Sequence, residues 1–261
     1  MKTSIYKRAG KAFFYLAFAK ALFITTSCKP DHLHLVKVEA SQTSIDSTLQ
    51  SVTAIEDYIA PYKKSLDAQM DEQLSYNPVS MHKNDFELNT PIGNMMAEIV
   101  MKQGNPIFLK RSGEQIDVVL INHGGIRAPL HKGAVTMRSA YEIMPFENSI
   151  VVAQLNAVQM TSLINYLVKR KRAHPISGLT IKLDKNGKLL EALINGKPLS
   201  DNEHYYVATN DYLYNGGDNM SFFKDTPITQ LDYKIRNAMI DYFKETDTLK
   251  FKRDDRFTMV H

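Results

Sequence analysis

The chain contains a single cysteine, no excess of glycine or proline, and no apolar run long enough to span a bilayer after its first thirty residues. One cysteine excludes a disulfide within the chain. The ordinary glycine and proline content argues against fibrous and disordered classes. With 261 residues, of which 44% are hydrophobic and 23% charged, the chain is long enough to bury one large globular core.

Acidic residues are also missing from the first twenty positions, which carry five cations: Lys2, Lys7, Arg8, Lys11 and Lys20. Without these cations the formal net charge falls from +4 to −1. The rest of the chain is nearly neutral, so it has no broad basic surface that would bind along a nucleic-acid backbone. We therefore expect no nucleic-acid polymer as a partner, and we expect any phosphate to be bound locally.

The N-terminus has the pattern of an export signal, with a basic start, an apolar centre and the sequence Thr25-Thr26-Ser27-Cys28 at its end. It resembles a bacterial lipoprotein signal, in which Cys28 would be the lipidated residue. An uncleaved membrane anchor and a chance cysteine are the alternatives, because Lys20 interrupts the apolar stretch. We expect a signal peptide over residues 1–27 and an exported protein, lipid-anchored in the cell envelope on the periplasmic or outer-membrane side.

The pattern beyond the cysteine predicts a tether over residues 28–50, which includes an edge strand at 32–40, and a domain over residues 51–261. At 52–74 the apolar residues recur with helical spacing, which predicts an amphipathic helix packed on the core. Pro61 should kink or divide that helix.

The rest of the chain predicts a mixture of helices and strands without an internal repeat or a linker. Helices are predicted at 95–101, with Thr90 as the cap, and at 138–143, 157–169 and 232–243. Strands are predicted at 117–121, 150–155, 179–183, 189–194, 205–209 and 256–260. The fold class is therefore α+β, a single mixed α/β domain in which helices pack on a mixed sheet.

The strand predicted at 117–121 runs directly into the loop Asn122-His123-Gly124-Gly125-Ile126-Arg127. Adjacent glycines let backbone N–H groups approach a ligand that a Cβ would keep away, so this turn can cradle an anion. Arg127 offers a planar fork of donors that matches a phosphate. A tight turn with an exposed arginine is the alternative, and His123 is interpreted as a pocket-lining residue rather than as a general base.

A second loop, Asn215-Gly216-Gly217-Asp218, follows another predicted strand and ends in a carboxylate that can accept hydrogen bonds from sugar hydroxyls. Tyr212 precedes this loop, and Phe146 lies between the two loops in a Pro-Phe pair. Either ring alone is usually core filler. Two rings together can sandwich a flat base, with stacking worth about 1–3 kcal/mol per base.

In order and spacing these elements resemble the C-terminal domain of the 5'-nucleotidase family, and Pro91-Ile92-Gly93-Asn94 is similar to an upstream element of that family. The resemblance covers approximately residues 83–261. It implies a base clamp, a ribose site and a phosphate site, formed respectively by Phe146 with Tyr212, by Asn122 with Asp218, and by Arg127. It also implies that four glycines shape the loops: Gly124, Gly125, Gly216 and Gly217.

Two departures from the family pattern bear on function. No arginine occurs between Pro61 and Met101, where the family usually has a phosphate-binding arginine, and His82 or Lys83 are the candidate substitutes. The histidine motifs of the family's metallophosphatase domain, whose side chains hold two divalent metals, do not occur in this sequence. We therefore expect neither a catalytic residue nor a metal ligand in this chain.

The sequence thus predicts a nucleotide-binding, substrate-recognition domain of a 5'-nucleotidase-type hydrolase system. It would act in nucleotide catabolism with a separate metallophosphatase, which would carry the divalent metals, and autonomous hydrolysis is not expected. A surface lipoprotein that binds nucleotides or nucleosides without catalysis is the alternative. Neither a Walker loop nor a Gly-x-Ser-x-Gly elbow is present to favour another enzyme class.

Overall fold

The computed structural model describes residue 35 and residues 37–260. The predicted signal peptide, Cys28 and part of the predicted edge strand lie outside these residues. The continuous described part of that strand, residues 37–40, is exposed and forms no strand, so the prediction is wrong there. Its backbone has no strand partner among the described residues.

Contacts divide the chain into two compact units, Met1–Val52 and Thr53–His261. In the first unit, residues 37–52 are exposed and form neither a helix nor a strand. The helices and strands described below belong to the second unit.

Its α-helices are α1 (Thr53–Met70), α2 (Pro91–Ser112), α3 (Met137–Ile143), α4 (Ala157–Arg170), α5 (Asp211–Tyr214) and α6 (Ile235–Lys244). Its strands are β1 (Gln73–Asn77), β2 (Val118–Leu120), β3 (Gly133–Thr136), β4 (Ser149–Asn156), β5 (Ile176–Ser177), β6 (Leu179–Leu183), β7 (Leu189–Ile194), β8 (Lys197–Pro198), β9 (His204–Asn210), β10 (Ile228–Lys234) and β11 (Phe257–Met259). None of the helices in the described part is both long and apolar enough to cross a bilayer.

The centre of the domain is a five-stranded mixed sheet in the order β10-β4-β9-β2-β5. β2 runs parallel to β9, whereas β4 is antiparallel to both β9 and β10. A four-stranded sheet in the order β11-β6-β7-β8 and the pair β1-β3 complete the strands of the described part. The predicted α+β class, with helices on a mixed sheet, is confirmed.

Apolar side chains alternate between the two faces of the central sheet, as strand geometry requires. Val119 and Ile121 join one buried cluster with α2 and α6. Val118 and Leu120 join a second cluster with α4 and the four-stranded sheet. β2 therefore lies in the middle of the core and fixes the position of the loop that follows it.

Helix α1 differs from its prediction in two ways. It is not divided at Pro61, and none of its residues is buried. Its C-terminal end is attached to the domain, because Arg138 donates to the carboxylates of Asp67 and Asp71. The prediction that this helix packs on the core is therefore wrong, since its apolar side chains face solvent.

Helix α2 takes the central position instead. Thr90 caps it by accepting from the Gly93 N–H, as predicted, but the helix continues to Ser112 rather than ending near residue 101. Gly104 lies inside this helix and packs closely, since a Cβ there would lie 3.3 Å from Leu231 Cδ1. At the other end of the chain, residues 232–234 belong to β10 and not to the final helix, which begins at Ile235.

Candidate functional site

Both glycine loops lie at one edge of the central sheet. β2 and β9 are neighbouring parallel strands, so their carboxyl ends meet at the same edge. The loop Asn122–Arg127 follows β2, and α5 with the loop Asn215–Asp218 follows β9. β4 begins at this edge too, because Ile150 pairs with Asn210, and it brings Phe146 close to the loops.

The loops and Phe146 enclose a cavity of about 350 Å³. Six of the predicted site residues line it, namely Asn122, Gly124, Arg127, Phe146, Tyr212 and Asp218, together with Asn148, which the sequence analysis missed. Gly125 and Gly217 do not line it, and Gly216 lines a neighbouring cavity of about 590 Å³ with Asn215 and Lys224. These three glycines belong to the backbone of the loops and not to the wall of the smaller cavity.

Buried hydrogen bonds hold the first loop, Asn122–Arg127, in position. Asn122 is 7% exposed, and its side-chain oxygen accepts from Asn210 Nδ2 at 3.1 Å. Asn210 also caps α5 by accepting from the Leu213 N–H at 2.8 Å, so one buried asparagine connects the two loops. Gly125 is tightly packed, since a Cβ there would lie 3.1 Å from Asn122 Oδ1 and 3.2 Å from Met144 Cε.

Part of the backbone of this loop is closed to the anion that the sequence predicts. The Gly125 N–H donates to Asn122 O at 3.0 Å, and the Arg127 N–H donates to Ile143 O at 2.9 Å. Donors that are already bonded within the protein are not available to a ligand. Among the described residues the Gly124 N–H, at the cavity wall, has no such partner.

His123 is buried beneath the loop and does not line the cavity, so its interpretation as a pocket-lining residue is wrong. Its Nδ1 lies 3.0 Å from Ala173 O, which makes Nδ1 the donor. Burial lowers the pKa of His123, and the neighbouring cations Arg172 and Lys83 lower it further, against the hydrogen bond to Ala173. Burial also lowers the pKa of His174, which touches the loop at the His123 N–H, to about 4.

An exposed hydrogen bond holds the second loop, Asn215–Asp218, in position. Tyr212 Oη donates to Asp218 Oδ1 at 2.9 Å, and this hydrogen bond raises the pKa of the tyrosine hydroxyl. Asp218 has φ 52° and Gly216 has φ 92°, both in the left-handed region. A Cβ on Gly217 would lie 2.5 Å from the Tyr212 ring, so the glycine permits the ring to lie close to the loop.

The loop that carries Phe146 is held in position by an arginine that lies far away in the sequence. Arg236, on α6, is 4% exposed and donates to the carbonyl oxygens of Met144 at 3.3 Å and Phe146 at 3.2 Å. It also pairs with Glu147 and stacks 4.1 Å from the centroid of Tyr141. The sequence gives no signal for this role, because Arg236 lies 90 residues from Phe146 and looks like a surface cation of an amphipathic helix.

The model of the family described as "5'-nucleotidase, C-terminal domain" matches residues 70–225, which is more than half of the chain. The chain belongs to this family.

Among its relatives is the cell wall protein Lmo0130 of Listeria monocytogenes, 27% identical over 184 residues, which cover 65% of this chain and 23% of the relative. The trifunctional nucleotide phosphoesterase protein YfkN of Bacillus subtilis is 26% identical over 242 residues, which cover 84% of this chain and 16% of the relative. The chain thus spans less than a quarter of these two proteins.

A solved structure, the 5'-nucleotidase precursor of Thermus thermophilus, has the same fold with a TM-score of 0.66 at 20% identity. The match covers 80% of this chain and 43% of that one. The resemblance inferred from the sequence is confirmed at the level of family and fold.

The stretch between Pro61 and Met101 contains no arginine, and the structure places Lys83 beside Arg127. Lys83 Nζ donates to Ile126 O at 2.8 Å. Burial and the neighbouring charges of Arg127 and Arg172 lower the pKa of Lys83. His82, the other candidate, instead packs edge-on against His131 at 6.1 Å.

Arg127 itself lies close to the aromatic part of the site. Its guanidinium carbon is 5.7 Å from the centroid of Phe146. No carboxylate among the described residues lies within 4.0 Å of the charged groups of Arg127, Lys83 or Arg172. Within the same part of the chain, no group of three or more His, Cys, Asp or Glu side chains is placed to hold a metal ion.

Proposed function

We propose that this domain binds a nucleotide or nucleoside in the cavity between its two loops, as the substrate-recognition part of a 5'-nucleotidase-type hydrolase system. The observation that carries the proposal is the placement of Phe146 and Tyr212 on one cavity of about 350 Å³. Both rings are partly exposed, at 40% and 45%, which is unusual for rings that serve only as core filler. Family membership supports the same conclusion.

The chemistry of the wall assigns a role to each part of the ligand. The two rings offer π-faces to a base, a contact that every base can make. Asp218 accepts and Asn122 donates or accepts at the ribose hydroxyls. Arg127, which has no carboxylate partner among the described residues and has Lys83 next to its backbone, supplies the charge that a phosphate requires.

Hydrolysis in this proposal is performed by a separate metallophosphatase chain, which carries the divalent metals. One observation supports this division: this sequence contains none of the metal-binding histidine motifs expected of such a domain. YfkN, the Bacillus subtilis relative described above, is a nucleotide phosphoesterase by name, which supports a role in nucleotide catabolism.

The cell envelope is the proposed location. The N-terminal pattern that ends at Cys28 supports export and lipid anchoring, and a relative described as a cell wall protein agrees with an envelope location. Labelling with a radioactive fatty acid should mark the wild-type protein and not Cys28→Ala. Equal labelling of the two would refute the anchor.

Calorimetric titration with adenosine and AMP tests the binding claim. Phe146→Ala should weaken both ligands by about tenfold through loss of stacking. Arg127→Ala should weaken AMP by about tenfold and adenosine much less, because only AMP carries the charge that arginine binds. Phe86→Ala and Arg253→Ala are matched controls, since Arg253 lies 4.7 Å from the centroid of the partly exposed Phe86, away from the cavity wall.

Negligible heat from wild-type protein with both ligands would refute nucleotide binding. If binding is present, hydrolysis of AMP is measured for the chain with and without a purified metallophosphatase from the same organism. The proposal expects a higher rate for the mixture. An unchanged rate with intact binding would favour the alternative, a surface protein that binds nucleotides without hydrolysis.

A further inference from the structure

Helix α1 carries an apolar stripe that the domain leaves uncovered. Ile55, Ile59, Tyr62 and Leu66 are separated by four, three and four residues, and their exposed fractions are 58%, 41%, 68% and 58%. A 3-4 alternation is the spacing of a coiled-coil seam, which is narrower than the apolar face of a helix packed on a globular core. The stripe therefore fits a second helix better than a broad surface.

The attachment of α1 leaves this stripe accessible. Arg138 holds Asp67, which lies about 110° around the helix from the stripe, and Asp71, which follows the last residue of the helix. No residue of α1 is buried, and Tyr58 adds to the apolar surface by packing against Tyr62 with ring centroids 5.9 Å apart. The domain thus fixes one end of the helix and leaves the stripe exposed.

Charges along one flank of the stripe indicate which helix would cover it. Glu56 and Lys63 are seven residues apart and lie on the same flank. Neither forms an ion pair within 4.0 Å in the described part of the chain. An acid followed one heptad later by a base is complementary to its own sequence in the reverse direction.

We propose that α1 pairs antiparallel with α1 of a second copy of this chain. In this register Ile59 packs against Tyr62 of the second copy, and Ile55 packs against its Leu66. Glu56 then lies beside Lys63 of the second copy, and the symmetry repeats this ion pair on the other side. A parallel pairing places neither charge beside its opposite.

The antiparallel arrangement also separates the two domains, since each domain is fastened to the C-terminal end of its own helix. Pro61 falls on the outer surface of the pair, where its missing N–H and its ring meet no partner. The stripe is about 17 Å long, so the interface is small. Interfaces of this size associate weakly, and we expect a concentration-dependent dimer in the micromolar range.

Sedimentation equilibrium of the full chain measures the association. The weight-average mass of the wild type should rise from that of a monomer toward twice that value between about 10 and about 500 μM, the range expected for a small interface. Ile59→Gln and Leu66→Gln should each weaken association by at least about tenfold, because each removes apolar surface from the seam. Circular dichroism should show unchanged folding, since both side chains are exposed.

Charge exchange tests the register. Glu56→Lys and Lys63→Glu, each alone, should weaken association by about fivefold because they oppose like charges. The double variant Glu56→Lys/Lys63→Glu should recover the wild-type affinity to within about twofold, since it restores both pairs in reverse. A wild type that stays monomeric throughout, or a double variant as weak as the single ones, would overturn the proposal.

Discussion

The two glycine loops border the same cavity but are held in different ways. The first loop rests on buried groups: Asn122 is 7% exposed, His123 is 3% exposed, and both bond to residues beneath them. The second loop is partly exposed and is held by the hydrogen bond between Tyr212 and Asp218 and by residues with positive φ. The first loop is thus part of the folded core, whereas the second loop lies on the surface of that core.

This difference separates stability from binding. Substitutions in the first loop disturb buried hydrogen bonds, so they should lower the free energy of unfolding. Substitutions in the second loop displace exposed groups around Tyr212, so they should lower ligand affinity and leave most of the stability intact.

The largest effect should come from pH. His174 contacts the first loop, and burial holds its folded-state pKa at about 4, below the unfolded value of about 6.5. Between these values the unfolded chain binds a proton that the folded chain does not, so the free energy of unfolding falls as pH falls from about 6.5 to about 4. The loss approaches about 3 kcal/mol and then levels off.

Urea unfolding at a series of pH values measures this loss. His204→Gln, a change at the exposed start of β9, is the control and should leave the pH profile as it is in the wild type. A wild-type profile that is flat between pH 6.5 and 4 would show that the first loop does not rest on a neutral buried histidine.

Asn122→Ala should lower the free energy of unfolding by about 2 kcal/mol, because it leaves Asn210 Nδ2 buried without its acceptor. Asn215→Ala, the matched change in the second loop, removes an exposed hydrogen bond to Asp211 O and should cost less than about 0.5 kcal/mol. Thermal and urea unfolding compare the two variants. Equal losses would remove the contrast between the loops.

Gly217→Ala should lower both ligand affinity and stability. The added Cβ would lie 2.5 Å from the Tyr212 ring and 2.6 Å from its carbonyl oxygen, so both the ring and the backbone of Tyr212 must move. We expect AMP affinity to fall by about tenfold, the equivalent of one lost stacking contact, with a stability loss of about 1–2 kcal/mol. Calorimetry and urea unfolding of the same preparation check both values, and undiminished AMP affinity would separate Tyr212 from the ligand.

Gly124→Ala should have the smallest effect on stability. Its Cβ would meet only Asn122 Nδ2, at the ordinary contact distance of 3.6 Å. We expect the free energy of unfolding to change by less than about 0.5 kcal/mol, although the residue lies in the first loop. If urea unfolding shows a larger loss of the free energy of unfolding, the exposed Gly124 is as tightly packed as the buried residues of this loop.

Local patterns predicted some of these features and tertiary contacts decided the others. Strands β6 and β7 were predicted residue for residue, because Lys185-Asn186-Gly187 is a local turn and Gly187 has the positive φ it needs. The length of α2 was not predicted, because the sequence alone does not show that Gly104 packs against Leu231 inside the helix. The same holds for α1, whose spacing specifies an apolar stripe but not what covers it.

The candidate site divides in the same way. Six residues chosen from the motifs line the cavity, since each follows or precedes a strand that ends at one sheet edge. Arg236 and Asn210, which support those residues, were missed because their partners lie about 90 residues away in sequence. Contacts at such separation leave no periodic signal that a single sequence can reveal.

A crystal structure of the chain in complex with AMP, from crystals grown at saturating AMP, would test nucleotide binding most directly. We expect the adenine ring between Phe146 and Tyr212, the ribose near Asn122 and Asp218, and the phosphate beside Arg127. An empty cavity, or AMP bound only at another surface of the domain, would contradict nucleotide binding at this site.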